Sequence, residues 1–220
     1  MKYDILILDH DDTCVASTEA IHYPCHLEVM KNIRPDVSPV DLNGWFSKNF
    51  HPGIMSFLVD ELKFSQEEVE YEKKIWREFT DSRTPEFFPG IVELLRDFKT
   101  AGGRITVVSH SEVHTIKNLY EEKAPDIIPD LIFGWDDDPA KRKPNPWPAR
   151  EILKKLESPP EKALMVDDLK PGIEMAAALN IPAVGAGWGH AIPEIMDYME
   201  NNTESFLNSV DEFRRFIGLS

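Results

Sequence analysis

The chain has 220 residues, 42% of them hydrophobic and 29% charged, and a formal net charge of −15. That length suits one substantial core plus a smaller appended unit, and no apolar run approaches the roughly 20 residues of a membrane span. The acidic balance argues against nucleic acid or anionic membranes as partners, since Lys and Arg supply that attraction.

The amino terminus enters a strand at once and carries no apolar signal region, so a cytoplasmic protein without a secretory leader is expected. Cys14 and Cys25 are the only cysteines. They are too few for a disulfide framework and lack metal-ligand spacing, so both read as packed thiols.

Strand-like and helix-like segments alternate along most of the chain, which predicts an α/β fold with a largely parallel sheet. Strand candidates are Asp4 to Asp9, Arg104 to Ser109, Leu131 to Trp135, Ala163 to Asp168 and Ile181 to Gly187, with Ser205 to Ser209 as a possible edge. Ile91, Leu94, Leu95 and Phe98 form a helical stripe after Pro89 and Gly90, and Gly102 reads as its stop. Pro148 opens a helix through Lys155, and Ser209 with Glu212 reads as a capping box before the last helix.

From Cys14 to about Phe88 the signals are helical only. Ser38 with Pro39, Pro52 before Ile54, Phe57, Leu58 and Leu62, and Ser65 with Glu68 mark successive helices. An insertion of roughly seventy residues is far too long for an ordinary connection. It reads as a helical cap, giving a core of residues 1–16 and 86–220 and a cap of residues 17–85.

Ligands of open parallel sheets bind beyond the carboxyl ends of the strands. The first strand delivers Asp9 and Asp11 there, the second delivers Ser109, and the Ala163 to Asp168 strand delivers Asp167 and Asp168, with Lys143 ahead of that strand. Carboxylates crowded to ~4 Å repel by about 4 kcal/mol per pair at an effective dielectric of 20. An oxygen-seeking cation removes that cost, and the lack of clustered His or Cys favours Mg²⁺ over zinc. Such a cation also supplies attraction for an anion. One of Asp9 and Asp11 then suits a nucleophile and the other a general acid and base, while Lys143 and Ser109 hold phosphoryl oxygens.

The run Asp9-His-Asp-Asp-Thr13 resembles the Asp-x-Asp-x-Thr motif of the haloacid dehalogenase superfamily. Ile105 to Ser109 looks like its second motif, Lys143 to Pro146 its Lys-Pro-x-Pro motif, and Met165 to Ala176 its acidic pair before a Gly-led helix. The resemblance implies a Rossmann-like core with a helical cap, as in phosphoglycolate phosphatase-like members. It implies Asp9 as nucleophile and Mg²⁺ ligand, and Asp11 as acid and base with its backbone carbonyl on the metal. Thr13 and Ser109 would orient the nucleophile loop and phosphoryl group, Lys143 would balance charge, and Asp168 and Asp167 would bind Mg²⁺, Asp167 directly or through water.

The chain departs from the pattern at Asp12, where Gly is usual and a turn role is expected, and at Ala16 and Val166. His10 and His110 stand beside the catalytic candidates and are expected at the substrate entrance or, for His10, turned away from it. Trp45, Phe46, Lys48 and His51 are candidates for specificity in the cap. The reading is a Mg²⁺-dependent phosphatase of a small phosphorylated metabolite, monomeric or weakly dimeric. A phosphomutase and a catalytically silent phosphate-binding module are its alternatives. The partial Gly motif at Gly185 to His190 lacks the context of a nucleotide site.

Overall fold

Four consecutive aliphatic residues, Ile5–Leu8, form β1, and all four are buried. Leu6 and Leu8 pack into one hydrophobic cluster, while Ile5 and Ile7 on the opposite face are equally inaccessible. A strand covered on both faces needs a continuous apolar run rather than alternation. The computed structural model describes residues 2–219.

The other strands are β2 Arg104–Val108, β3 Leu131–Phe133, β4 Ala163–Asp167, β5 Ala183–Ala186 and β6 Ser205–Leu207. They form one sheet in the order β3-β2-β1-β4-β5-β6, and every pairing is parallel. The chain builds outward from β1 through β2 to β3, then returns to the other side of β1 with β4. That reversal opens a crevice at the carboxyl ends of β1, β2 and β4. The expected edge strand is therefore present as β6. The expected third strand is shorter: it stops at Phe133 because the Trp135 N–H leaves the ladder for the Ser111 carbonyl at 2.9 Å.

The chain divides into two compact units, one of Met1–Val15 with Phe87–Ser220 and one of Ala16–Glu86. The second unit is helical: a π-helical turn Thr18–His22 leads into α1 Tyr23–Ile33, followed by α2 Leu42–Phe50, α3 Ile54–Ser56, a second π-helical turn Phe57–Glu61 and α4 Gln66–Ser82. Cys25, Val29, Met30, Trp45, Phe57 and Leu58 lie in its own core. The helix signal placed at Ser38 belongs further on, because Asp41 caps α2 by accepting from the Gly44 N–H at 2.7 Å. A cap needs extended backbone just before the first turn, and Asp41 has it at φ −73° and ψ 176°.

In the sheet-bearing unit the helices are α5 Ile91–Thr100, α6 Val113–Lys123, α7 Trp147–Lys155, α8 Lys170–Ala177, α9 Pro193–Asn202 and α10 Val210–Phe216. Ile91, Leu94, Leu95 and Phe98 of α5 join Ile116, Leu119 and Tyr120 of α6 and Phe213 of α10 against the Leu6 face of the sheet. The stripe read from sequence is thus the buried face of α5. Helix α8 starts at Lys170, with Pro171 in its first turn, so it is not led by Gly172.

Candidate active site

Every residue singled out for chemistry except His10, which turns inward, projects at the carboxyl end of the sheet. Asp9 follows β1 directly, and its N–H is held by the Val166 carbonyl of β4 at 2.9 Å. The chain then turns sharply: the His10 carbonyl accepts from the N–H groups of Cys14 at 2.9 Å and Val15 at 3.1 Å. Asp12 takes the left-handed conformation this turn demands, with φ 56°, which an Asp tolerates better than most residues.

Lys143 Nζ lies 2.7 Å from Asp9 Oδ1 and 2.7 Å from Asp167 Oδ2. All three side chains are almost wholly buried. Burial works against the ammonium charge, but the two carboxylates outweigh it and hold the Lys143 pKa above its usual range. Burial raises the carboxyl pKa of Asp9 well above its ordinary value, and neighbouring Asp167 adds to the rise. Asp167 is raised too, again chiefly by burial, with Lys143 opposing. One lysine does not neutralise this group of acids.

Asp9, Asp167 and Asp168 each offer a carboxylate oxygen, and these atoms lie within 4.8 Å of one another. All the donors are hard oxygens, the set Mg²⁺ prefers. Asp167 already accepts from Lys143 on Oδ2 and from the Leu169 N–H at 2.8 Å on Oδ1, so both of its oxygens are engaged. Gly172 makes the cluster possible. A Cβ there would sit 2.0 Å from Asp167 Oδ2 and 2.5 Å from a Met165 methyl, so only glycine lets α8 approach this closely.

Asp11 does not join that trio by its side chain. Its Oδ2 accepts from Ser111 Oγ at 2.7 Å and from Ser109 Oγ at 3.1 Å, and the Ser109 hydroxyl in turn accepts from the Ser111 N–H at 2.9 Å. Thr13 Oγ1 donates to Asp168 Oδ1 at 3.0 Å. His110 Nε2 lies 2.8 Å from the Lys143 carbonyl. The His10 ring is buried and lies 6.4 Å from the ring of Tyr120, so its backbone rather than its side chain faces the turn.

Sequence reasoning missed three contributors. Ser111 is the stronger of the two hydroxyl partners of Asp11. Trp188 Nε1 donates to the Thr13 carbonyl at 2.8 Å, and His190 Nε2 lies 3.2 Å from Asp168 Oδ2. Gly189 between them packs so closely that a Cβ would be 2.3 Å from the Asp12 carbonyl oxygen. The loop after β5 therefore clamps the loop after β1. Its signal lies in the Gly185 to His190 run, in the Trp and His that stand beside the last glycine and do the bonding.

A family model described as haloacid dehalogenase-like hydrolase matches residues 3–180. The chain is 27% identical over 132 residues to the tyrosine-protein kinase PtkA of Mycobacterium tuberculosis, a match over 60% of this chain and 45% of that protein. This chain thus spans under half the length of that relative. It is 24% identical to the phosphoglycolate phosphatase of Nitrosococcus oceani over 97% of this chain and 96% of that one. A haloacid dehalogenase-like family hydrolase of Streptococcus pneumoniae superposes with a TM-score of 0.78 at 17% identity, covering 98% of this chain and 99% of that one.

Proposed function

Because the chain belongs to the haloacid dehalogenase-like hydrolases, we propose that it hydrolyses a small phosphate monoester through a phosphoryl group carried on Asp9. The observation that carries this reading is the buried Asp9, Asp167 and Asp168 cluster, in which a single lysine bridges the first two. Mg²⁺ bound by Asp9, Asp168 and the Asp11 carbonyl, with Asp167 direct or through water, would neutralise the acids and withdraw charge from the phosphoryl oxygens.

The residues of the chain then divide the work. An Asp9 carboxylate oxygen attacks phosphorus in line with the ester oxygen, and the phosphorus–oxygen bond to the leaving group breaks. Asp11, fixed by the hydroxyls of Ser109 and Ser111, gives its proton to the departing oxygen. The same carboxylate next takes a proton from water, whose oxygen attacks phosphorus and frees Asp9 and inorganic phosphate. Lys143 favours the ionised form of Asp9 against burial and stabilises charge on the phosphoryl oxygens. The Ala16–Glu86 unit is the cap in this reading, the part expected to select for small metabolites.

The test is phosphate release from a generic aryl phosphate with Mg²⁺. Turnover should vanish with EDTA and in Asp9→Ala, and should return when Mg²⁺ is restored to the wild-type protein. Full turnover in Asp9→Ala would refute the assignment.

A further inference from the structure

The loop between β3 and α7 carries a cation with no acidic partner among the described residues, in a chain that has 39 acidic residues against 24 basic ones. Its lysines are committed: Lys143 to Asp9 and Asp167, and Lys141 to Asp136 at 3.7 Å. Its acids are engaged within the loop as well. Asp136 accepts from the Asp138 N–H at 2.9 Å, Asp138 from the Ala140 N–H at 3.0 Å, and Asp137 from Trp135 Nε1 at 3.4 Å. Arg142 is left. No carboxylate pairs with it among the described residues, and its guanidinium carbon stands 3.9 Å above the centre of the Trp135 ring.

That stacked pair sits on the acid's side of the site. Ser111 donates to Asp11, and the Ser111 carbonyl accepts the Trp135 N–H at 2.9 Å. His110, between Ser109 and Ser111, presents its ring edge-on to Trp135 with centroids 6.4 Å apart. The group that protonates the leaving oxygen is therefore tied through one residue to the aromatic platform under Arg142. Trp135 is 37% exposed, so the platform faces solvent.

We propose that Arg142, braced on Trp135, binds a second anionic group, a carboxylate or a phosphate, carried by the leaving group of the substrate. The inference rests on the phosphoryl-transfer reading and names the class of ester that site takes. A guanidinium offers a planar fork that matches both anions. Stacking on Trp135 orders the side chain before substrate arrives, so less freedom is lost on binding. The local charge also offsets the acidic field of the chain, which repels any doubly anionic ester.

Two matched pairs of esters test this: phospholactate against isopropyl phosphate, and ethylene glycol bisphosphate against ethyl phosphate. The wild-type protein with Mg²⁺ should prefer one charged ester over its neutral match by about tenfold in kcat/KM, chiefly through KM. Which pair shows the preference identifies the anion as carboxylate or phosphate. In Arg142→Gln the ratio should fall toward one, and Arg142→Lys should keep part of it. Arg104→Gln, which removes a cation paired with Asp130 at the other end of β2, should leave the ratio as it is. A wild-type ratio near one, or a ratio unchanged in Arg142→Gln, overturns the proposal. Hydrolysis of none of the four esters overturns the underlying reaction and the proposal with it.

Discussion

His26 shows what one buried side chain costs outside the candidate site. It is 3% exposed in the helical unit, stacked 4.4 Å from Trp45, and its Nε2 has no hydrogen-bond partner. Burial pushes its pKa from 6.5 down to about 4. Between those values the unfolded chain binds a proton that the folded chain refuses, so stability is full above pH 6.5 and is lost as pH falls toward 4. The loss should be about 2–3 kcal/mol. Urea unfolding at pH 7 and pH 4.5 should show it for the wild type and a smaller drop for His26→Leu; equal drops would sink the idea. Neither this environment nor the Asp168 partner His190 was legible in the sequence, because a histidine's surroundings come from distant segments. Asp9, Asp11, Ser109, Lys143, Asp167 and Asp168 were legible, since each follows a strand or stands in a short motif whose place the parallel topology dictates.

At the scale of elements, caps were read more securely than boundaries. Ser65 and Glu68 form the full reciprocal box: Ser65 Oγ accepts from the Glu68 N–H at 3.3 Å and Glu68 Oε2 from the Ser65 N–H at 2.7 Å. Arg34 also pairs with Glu68 across to α1, its Nη2 lying 2.7 Å from Oε2. Ser65→Ala should cost about 1 kcal/mol, seen as a lower urea midpoint and faster amide exchange in the first turn of α4. No change in either would show that Arg34 and Glu68 hold that end alone. The second expected box is half formed. Ser209 caps Glu212 at 3.2 Å, but the Glu212 carboxylate accepts from Asn208 instead, at 2.7 Å. Spacing gives the residues of a box, whereas the direction in which the chain enters the helix decides which N–H the Glu reaches. The same limit shortened the third strand at Phe133 and moved the start of α8 ahead of Gly172.

For the whole molecule, a chain with a net charge of −15 gathers Asp9, Asp167 and Asp168 where the strand order reverses. Parallel strands put Asp9, Ser109 and Asp167 at one edge without any local sequence contact among them. Glycine at 172 and 189 lets helix and loop close in around those acids. The central claim is that Asp9 carries the phosphoryl group. The direct measurement is acid quenching of the protein during turnover of an aryl phosphate with Mg²⁺, followed by peptide mass mapping. One phosphoryl group is expected on the peptide containing Asp9, absent in Asp9→Asn together with turnover. A phosphoryl group on another residue, or continued turnover in Asp9→Asn, would contradict it.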